Sequence, residues 1–245
     1  MLKKILHDED NCKWVMFGRD PQKKNSVIDT NEYAIIVNNE AILLDPGGIE
    51  IFPAVLTAVS ESLDIKNIKA YLCSHQDPDI MSSLALWLGL TPNAKVYISW
   101  LWSSFVAHFG GEYVENFITL PDEGAQFELN HKRFDFIPAH YCHSSGNFHF
   151  YDPEAKILFT GDMGAALVPA DYPLVVEDFK EHIRYMQKFH QRWMPSNDAK
   201  NKWVNRVRKL NPKMLCPQHG SIFTGENVKN FLDWIEDLEV GKVKS

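Results

Sequence analysis

Residues 68–80 read IKAYLCSHQDPDI, a short apolar and partly β-branched run that breaks into His75, Asp77 and Asp79. The run is that of a buried strand, and the polar residues after it fall in a strand-end loop, where binding and catalytic groups collect. On an extended backbone, side chains at i, i+2 and i+4 share one side, so His75, Asp77 and Asp79 can converge on one point as metal ligation requires. Neutral imidazole with carboxylate suits iron or manganese as well as zinc. Asp77-Pro78 has a plainer interpretation, an Asp N-cap followed by Pro at the first helical position. That leaves His75 and Asp79 unexplained.

Outward from this stretch, EYAIIVN and EAILLD read as a hairpin turning at Asn38-Asn39 and ending at Asp45-Pro46-Gly47-Gly48. Helical spacing runs from Ile49 to Leu63. SSLALWLGL continues as a helix, AKVYIS as a strand and WLWSSFVAHF as a helix stopped by Gly110-Gly111. A second β-rich block covers NFITL, FELN, RFDFIPA, FHFYD and KILFTGD, with Asp152-Pro153 as a turn. Helices follow near Val175 to Gln191 and Ala199 to Lys209, then the strand KMLC, the loop Pro217-Gln218-His219-Gly220 and the amphipathic NVKNFLDWIEDL. Two β-rich blocks, each followed by helices, predict two packed sheets with helices outside.

Two further candidates also follow strands, Asp162 after KILFTG and His219 after KMLC. His108, His131, His149, His182 and His190 are expected to be surface or core histidines. Trp100, Trp102 and Trp203 are expected in core or interface. Cys12, Cys73, Cys142 and Cys216 make no C-x-x-C pair and are expected as reduced thiols, small hydrophobes in character. No Gly-rich phosphate loop or Ser nucleophile elbow appears.

The 245 residues, 45% hydrophobic, suffice for one sizeable core, and no repeat or linker divides them. A net charge of −7 argues against a non-specific grip on nucleic acid or anionic lipid. No stretch approaches the roughly 20 apolar residues of a membrane span, and the first residues run into charge too soon for a secretory segment. The expected location is the cytoplasm.

In order along the chain, LLDPGG, SHQDPD, HSSGNF, FTGD and PQHG resemble the five successive landmarks of the metallo-β-lactamase superfamily, over roughly Glu32 to Gly220. The resemblance implies one domain over residues 1–245. Its fold class is α/β, an αββα sandwich of two mixed sheets with helices on both outer faces. The hydrolytic branch carries H-x-H-x-D-H at the second landmark. Here Asp77 stands at the middle histidine and Ile80 at the last. A carboxylate at the middle position is similar to the flavodiiron branch, H-x-E-x-D-H, and most like oxygen-binding di-iron proteins without the flavodoxin; Asp77 is one methylene shorter than that glutamate.

Carried over, the resemblance assigns His75, Asp77 and His143 to one iron, Asp79 and His219 to the other, and Asp162 as bridge; His140, three residues before His143, competes with it for the third-landmark ligand. Ile80 then leaves the second iron short of a protein ligand, a space for water or dioxygen, which the resemblance implies as the oxygen site. The implied function is a non-haem di-iron protein that binds dioxygen, as a sensor or slow reductase. The implied cofactors are two iron ions, with zinc or manganese as alternatives, and no FMN domain. Were the chain an enzyme, it is expected to be an oxidoreductase served by a separate electron donor. Dioxygen, a separate redox or signalling protein and a homodimer are the partners considered. The alternative is a two-metal hydrolase of thioester, lactone or phosphodiester through metal-activated hydroxide.

Overall fold

The computed structural model describes residues 1–19, 28–106, 108 and 111–241. Its contacts gather into two compact units, Met1–Arg133 and Phe134–Ser245. The first carries a seven-stranded sheet in chain order: β1 (Leu2–Glu9), β2 (Cys12–Gly18), β3 (Asn31–Val37), β4 (Glu40–Leu44), β5 (Ile68–Leu72), β6 (Lys95–Ser99) and β7 (Phe117–Leu120). The sheet is mixed, antiparallel from β1 to β4 and parallel from β4 to β7.

Local chemistry explains the change. Asn38 and Asn39 have φ of 48° and 71°, and Asp10 and Asn11 have φ of 50° and 58°. Two consecutive left-handed residues make the tight turn that suits strand twist, and Asn and Asp tolerate it best. The first hairpin, β1 with β2, goes beyond the sequence expectation, because the charged Lys3, Lys4, Asp8 and Glu9 mask the strand pattern. Beyond Leu44 the parallel strands need crossovers, supplied by α1 (Phe52–Ser60), α2 (Pro78–Met81), α3 (Leu84–Leu90) and α4 (Trp100–Val106). Gly110, half of the expected stop after the last of these, lies outside the described residues.

Val15, Phe17, Leu43, Tyr71 and Val96 of this sheet bury against Val55 and Val59 of α1 and Trp87 and Leu88 of α3. The same packing grips the Asp45-Pro46-Gly47-Gly48 turn. Trp87 Nε1 donates to the Pro46 carbonyl at 3.0 Å, and Ser83 Oγ to that of Gly47 at 2.6 Å. Gly47 has φ +93° and passes so close to Glu32 and Ile51 that a Cβ there would stand 3.1 to 3.2 Å from their side chains. Glycine is required for both reasons.

The second sheet is mixed and has six strands in the order β13-β12-β11-β10-β9-β8, of which β10 to β13 belong wholly to the second unit. Its strands are β8 (Ala125–Leu129), β9 (Lys132–Pro138), β10 (Phe148–Asp152), β11 (Ile157–Gly161), β12 (Met214–Pro217) and β13 (Phe223–Thr224). Its helices are α5 (Phe179–Trp193), α6 (Asn197–Leu210) and α7 (Glu226–Asp237). Helix α5 starts later than Val175 because Asp178 caps it, accepting from the Glu181 amide at 3.1 Å; Ser196 caps α6 in the same way. Met186, Trp203, Val204, Phe231 and Ile235 of these helices pack with Tyr151, Leu158 and Leu215 of the sheet. Buried Lys200 donates its three ammonium hydrogens to the Ile235, Glu236 and Leu238 carbonyls at 2.6 to 2.7 Å, closing the C-terminus of α7. Two mixed sheets, each with its own helical layer, make the α/β class expected from the sequence. Among the described residues, no helix is long and apolar enough to cross a membrane.

Candidate metal centre

In the first unit the site begins where β4 and β5 end side by side. The Asp45 amide donates to the Leu72 carbonyl at 2.8 Å, and Asp45 turns left-handed at φ 47°. Its buried carboxylate then receives the Ser74 amide on Oδ1 at 2.8 Å and the Ser74 hydroxyl on Oδ2 at 2.7 Å. Ser74 Oγ lies 2.9 Å from His75 Nδ1. With its one hydrogen given to Asp45, Ser74 can only accept from the imidazole, so Nδ1 carries the proton and Nε2 presents a lone pair. That lone pair faces Asp77 Oδ2 at 3.5 Å. The extended backbone expected through Asp79 stops at Asp77, and Asp79 stands in the first turn of α2. Ile80, next on α2, is fully buried in the first unit's apolar core.

In the second unit, Asp162 follows β11 directly and His219 follows β12, and these strands are parallel neighbours. The Gln218 amide donates to the Gly161 carbonyl at 2.8 Å. Gly220, at φ +84°, runs against Ala166 where a Cβ would come within 2.7 Å, so the turn that aims His219 needs glycine. His143 sits in a loop pinned by Ala139 N to Asn147 O at 2.9 Å, Tyr141 N to Ser144 O at 2.8 Å and Asn147 Nδ2 to Cys142 O at 2.7 Å. The loop holds His143 at φ 83°, a strained conformation for a residue with a Cβ, of the kind that persists at functional sites. Phe189 lies parallel to its ring at 5.7 Å and Trp193 tilts over it at 5.3 Å. Asp162 meets both histidines, Oδ2 at 3.4 Å from His143 Nδ1 and Oδ1 at 3.3 Å from His219 Nε2.

These separations suit a metal. Charge-assisted hydrogen bonds between imidazolium and carboxylate run about 2.7 to 2.9 Å. Two ligands about 2.1 Å from one ion, subtending roughly 100°, stand about 3.2 Å apart. The three measured pairs, 3.3, 3.4 and 3.5 Å, lie near the second value. A lone pair of His75 aimed at a carboxylate oxygen repels it unless a cation lies between them. Asp162, with a different oxygen toward each histidine, has the arrangement of a bridging carboxylate.

The model of the ODP family beta lactamase matches residues 28–220. The chain belongs to the ODP family. A structure described as a peroxy diiron species of the chemotaxis sensor ODP is 38% identical, with 98% of this chain and 97% of that one covered and a TM-score of 0.89. The apo state of the chemotaxis sensor ODP from T. denticola is also 38% identical, over 98% and 95% of the two chains, with a TM-score of 0.85. A flavo di-iron protein variant from Thermotoga maritima, 18% identical, shares the fold at a TM-score of 0.81; the match covers 96% of this chain and 61% of that one. No curated protein matches.

For this ODP-family chain the expected candidates thus fall into two local groups, His75 with Asp77 and His143 with Asp162 and His219. His140 packs edge-on against Phe148 at 5.1 Å. His131 is exposed, while His149, His182 and His190 are buried in packing roles. Trp203 is core, whereas Trp100 is half exposed. The four cysteines are buried and form no disulfide with one another, and burial pushes the Cys142 thiol up to about 12, which leaves it inert. Sequence reasoning treated Asp45 as a turn residue and passed over Ser74, Gln76, Phe189 and Trp193. The only signal for the first was its place in LLDPGG.

Proposed function

We propose that this chain is a non-haem di-iron protein that binds dioxygen, as an oxygen sensor or slow oxygen reductase. His75, Asp77 and His143 hold one iron, Asp79 and His219 the other, and Asp162 both, within one domain over residues 1–245. The observation that carries this is Asp162, one oxygen toward His143 and the other toward His219. Support comes from the 38% identity to a chemotaxis sensor described as a diiron species. Two irons held there supply a redox-active pair able to bind dioxygen.

The chain's own residues bias the site toward iron. Asp77 in place of an imidazole adds charge and a hard oxygen donor, which favours the ferric state. Ser74 and Asp45 keep His75 in its ligating tautomer. Ile80 offers neither ligand atom nor proton, and Phe189 stacks on the His143 ring with Trp193 tilted beside it. Four buried cysteines that form no disulfide with one another fit the reducing cytoplasm. A separate redox or signalling protein is the expected partner, with a homodimer open.

Protein purified without added metal is expected to hold two irons and to show ferric absorption. After anaerobic reduction it should give a persistent visible band with dioxygen. Asp162→Ala should lose both ions in native mass spectrometry. Two zincs and no colour, or full metal retention by Asp162→Ala, defeat the proposal; the former favours the hydrolase.

A further inference from the structure

Asp77 stands at the N-cap of α2 with extended backbone, φ −69° and ψ 147°, and Pro78 begins the helix. Everything in the backbone prepares its carboxylate to accept from the first helical amides. Elsewhere in the chain such residues do so: Asp64 accepts from Lys66, Asp178 from Glu181 and Ser196 from Ala199, all at 3.1 Å. The Asp77 side chain makes no capping bond. Its Oδ1 instead accepts from Gln76 Nε2 at 2.9 Å, and its Oδ2 faces His75 Nε2 at 3.5 Å.

Capping and ligation compete for one short side chain. Aspartate is among the best N-caps, so at this position the helix start is a real competitor for the carboxylate. We propose that Gln76 is the positioning residue that settles the competition: its amide takes Oδ1, draws the carboxylate off the helix start and leaves Oδ2 toward the metal. This rests on the assignment of Asp77 as a ligand. Gln76 touches no metal itself. It acts as the hydrogen-bonding partners of ligating carboxylates do, by fixing direction and tempering donor strength.

The test compares wild type with Gln76→Leu, Gln76→Glu and Asp77→Ala, measuring iron release to a chelator and the thermal midpoint of each metal-free protein. Gln76→Leu should release iron about tenfold faster while its metal-free midpoint holds or rises, because Asp77 is freed to cap α2. Gln76→Glu keeps the side chain's shape but cannot donate when ionised and repels Asp77, so it should release iron at least as fast. Wild-type iron retention by either Gln76 variant, with Asp77→Ala losing iron, overturns the positioning role. So does a Gln76→Leu protein whose midpoint falls together with its iron. If Asp77→Ala itself keeps iron as wild type does, the ligand assignment beneath the proposal fails instead.

Discussion

At the scale of single residues, the proposed metal site depends on side chains that are not among its candidate ligands. Ser74 is a hydroxyl with one hydrogen, and Asp45 takes it at 2.7 Å, so the serine's remaining role toward His75 is that of acceptor. Removing that hydroxyl leaves the imidazole free to adopt the other tautomer, with its proton where the lone pair must be. Ser74→Ala should therefore bind iron about 10 to 100 times more weakly, read by competition with a chelator, while Ser74→Thr, which keeps the hydroxyl, should recover most of the loss. Equal affinity in Ser74→Ala would show that His75 holds its tautomer without this relay. His143 illustrates the backbone at the same scale: its φ of 83° is imposed by the Asn147 and Ser144 hydrogen bonds, and nothing in HSSGNF announces it.

At the scale of elements, α5 supports the second unit's candidate ligands. His190 lies fully buried on it, its Nδ1 donating to the Met186 carbonyl at 2.9 Å and its Nε2 accepting from the Gly164 amide at 3.0 Å, two residues past Asp162. Burial holds it down to about 4 from the ordinary 6.5. Because the folded value is the lower one, the unfolded chain takes up the proton first as pH falls. The contribution is complete above pH 6.5 and is lost progressively toward pH 4. The stability advantage of metal-free wild type over His190→Gln should therefore shrink by about 2 kcal/mol between pH 7 and pH 5, measured by urea unfolding. A difference that does not change with pH would contradict a neutral buried His190. The helix was legible in the sequence near Val175 to Gln191, but its start at the Asp178 cap and its extension to Trp193 were not, and Phe189 and Trp193 carried no signal of a place beside His143.

At the scale of the whole molecule, five short motifs separated by tens of residues carried the reading, and the match over residues 28–220 bears out the family. Within that family resemblance, the second motif separates chemistries. Asp77 and Ile80 stand where the hydrolytic pattern has histidines, so under the proposed assignment a metal-bound hydroxide would have a more negative and less complete ligand set. Metal-defined protein should turn over thioesters, lactones and nitrocefin-like reporters far below the roughly 10 per second of ordinary enzymes. Turnover near that value would restore the hydrolase reading.

Strand and helix patterns, the Asn38-Asn39 turn, the fold class and the candidate ligands were available from sequence, because hydrophobic periodicity, turn chemistry and motif order are local properties of the chain. The hairpin of β1 and β2 escaped, since charged side chains obscure its alternation. Only tertiary structure decided that Asp77 leaves its helix cap, that His75 carries its proton on Nδ1, and that Asp162 turns one oxygen to each of two histidines. Each of these is a choice among side-chain orientations that the same residue makes differently according to which donors stand around it. Gln76 and Ser74 are sequence neighbours of Asp77 and His75, but Ser74 takes its role from the distant Asp45, and Asp162 meets histidines from two separate loops.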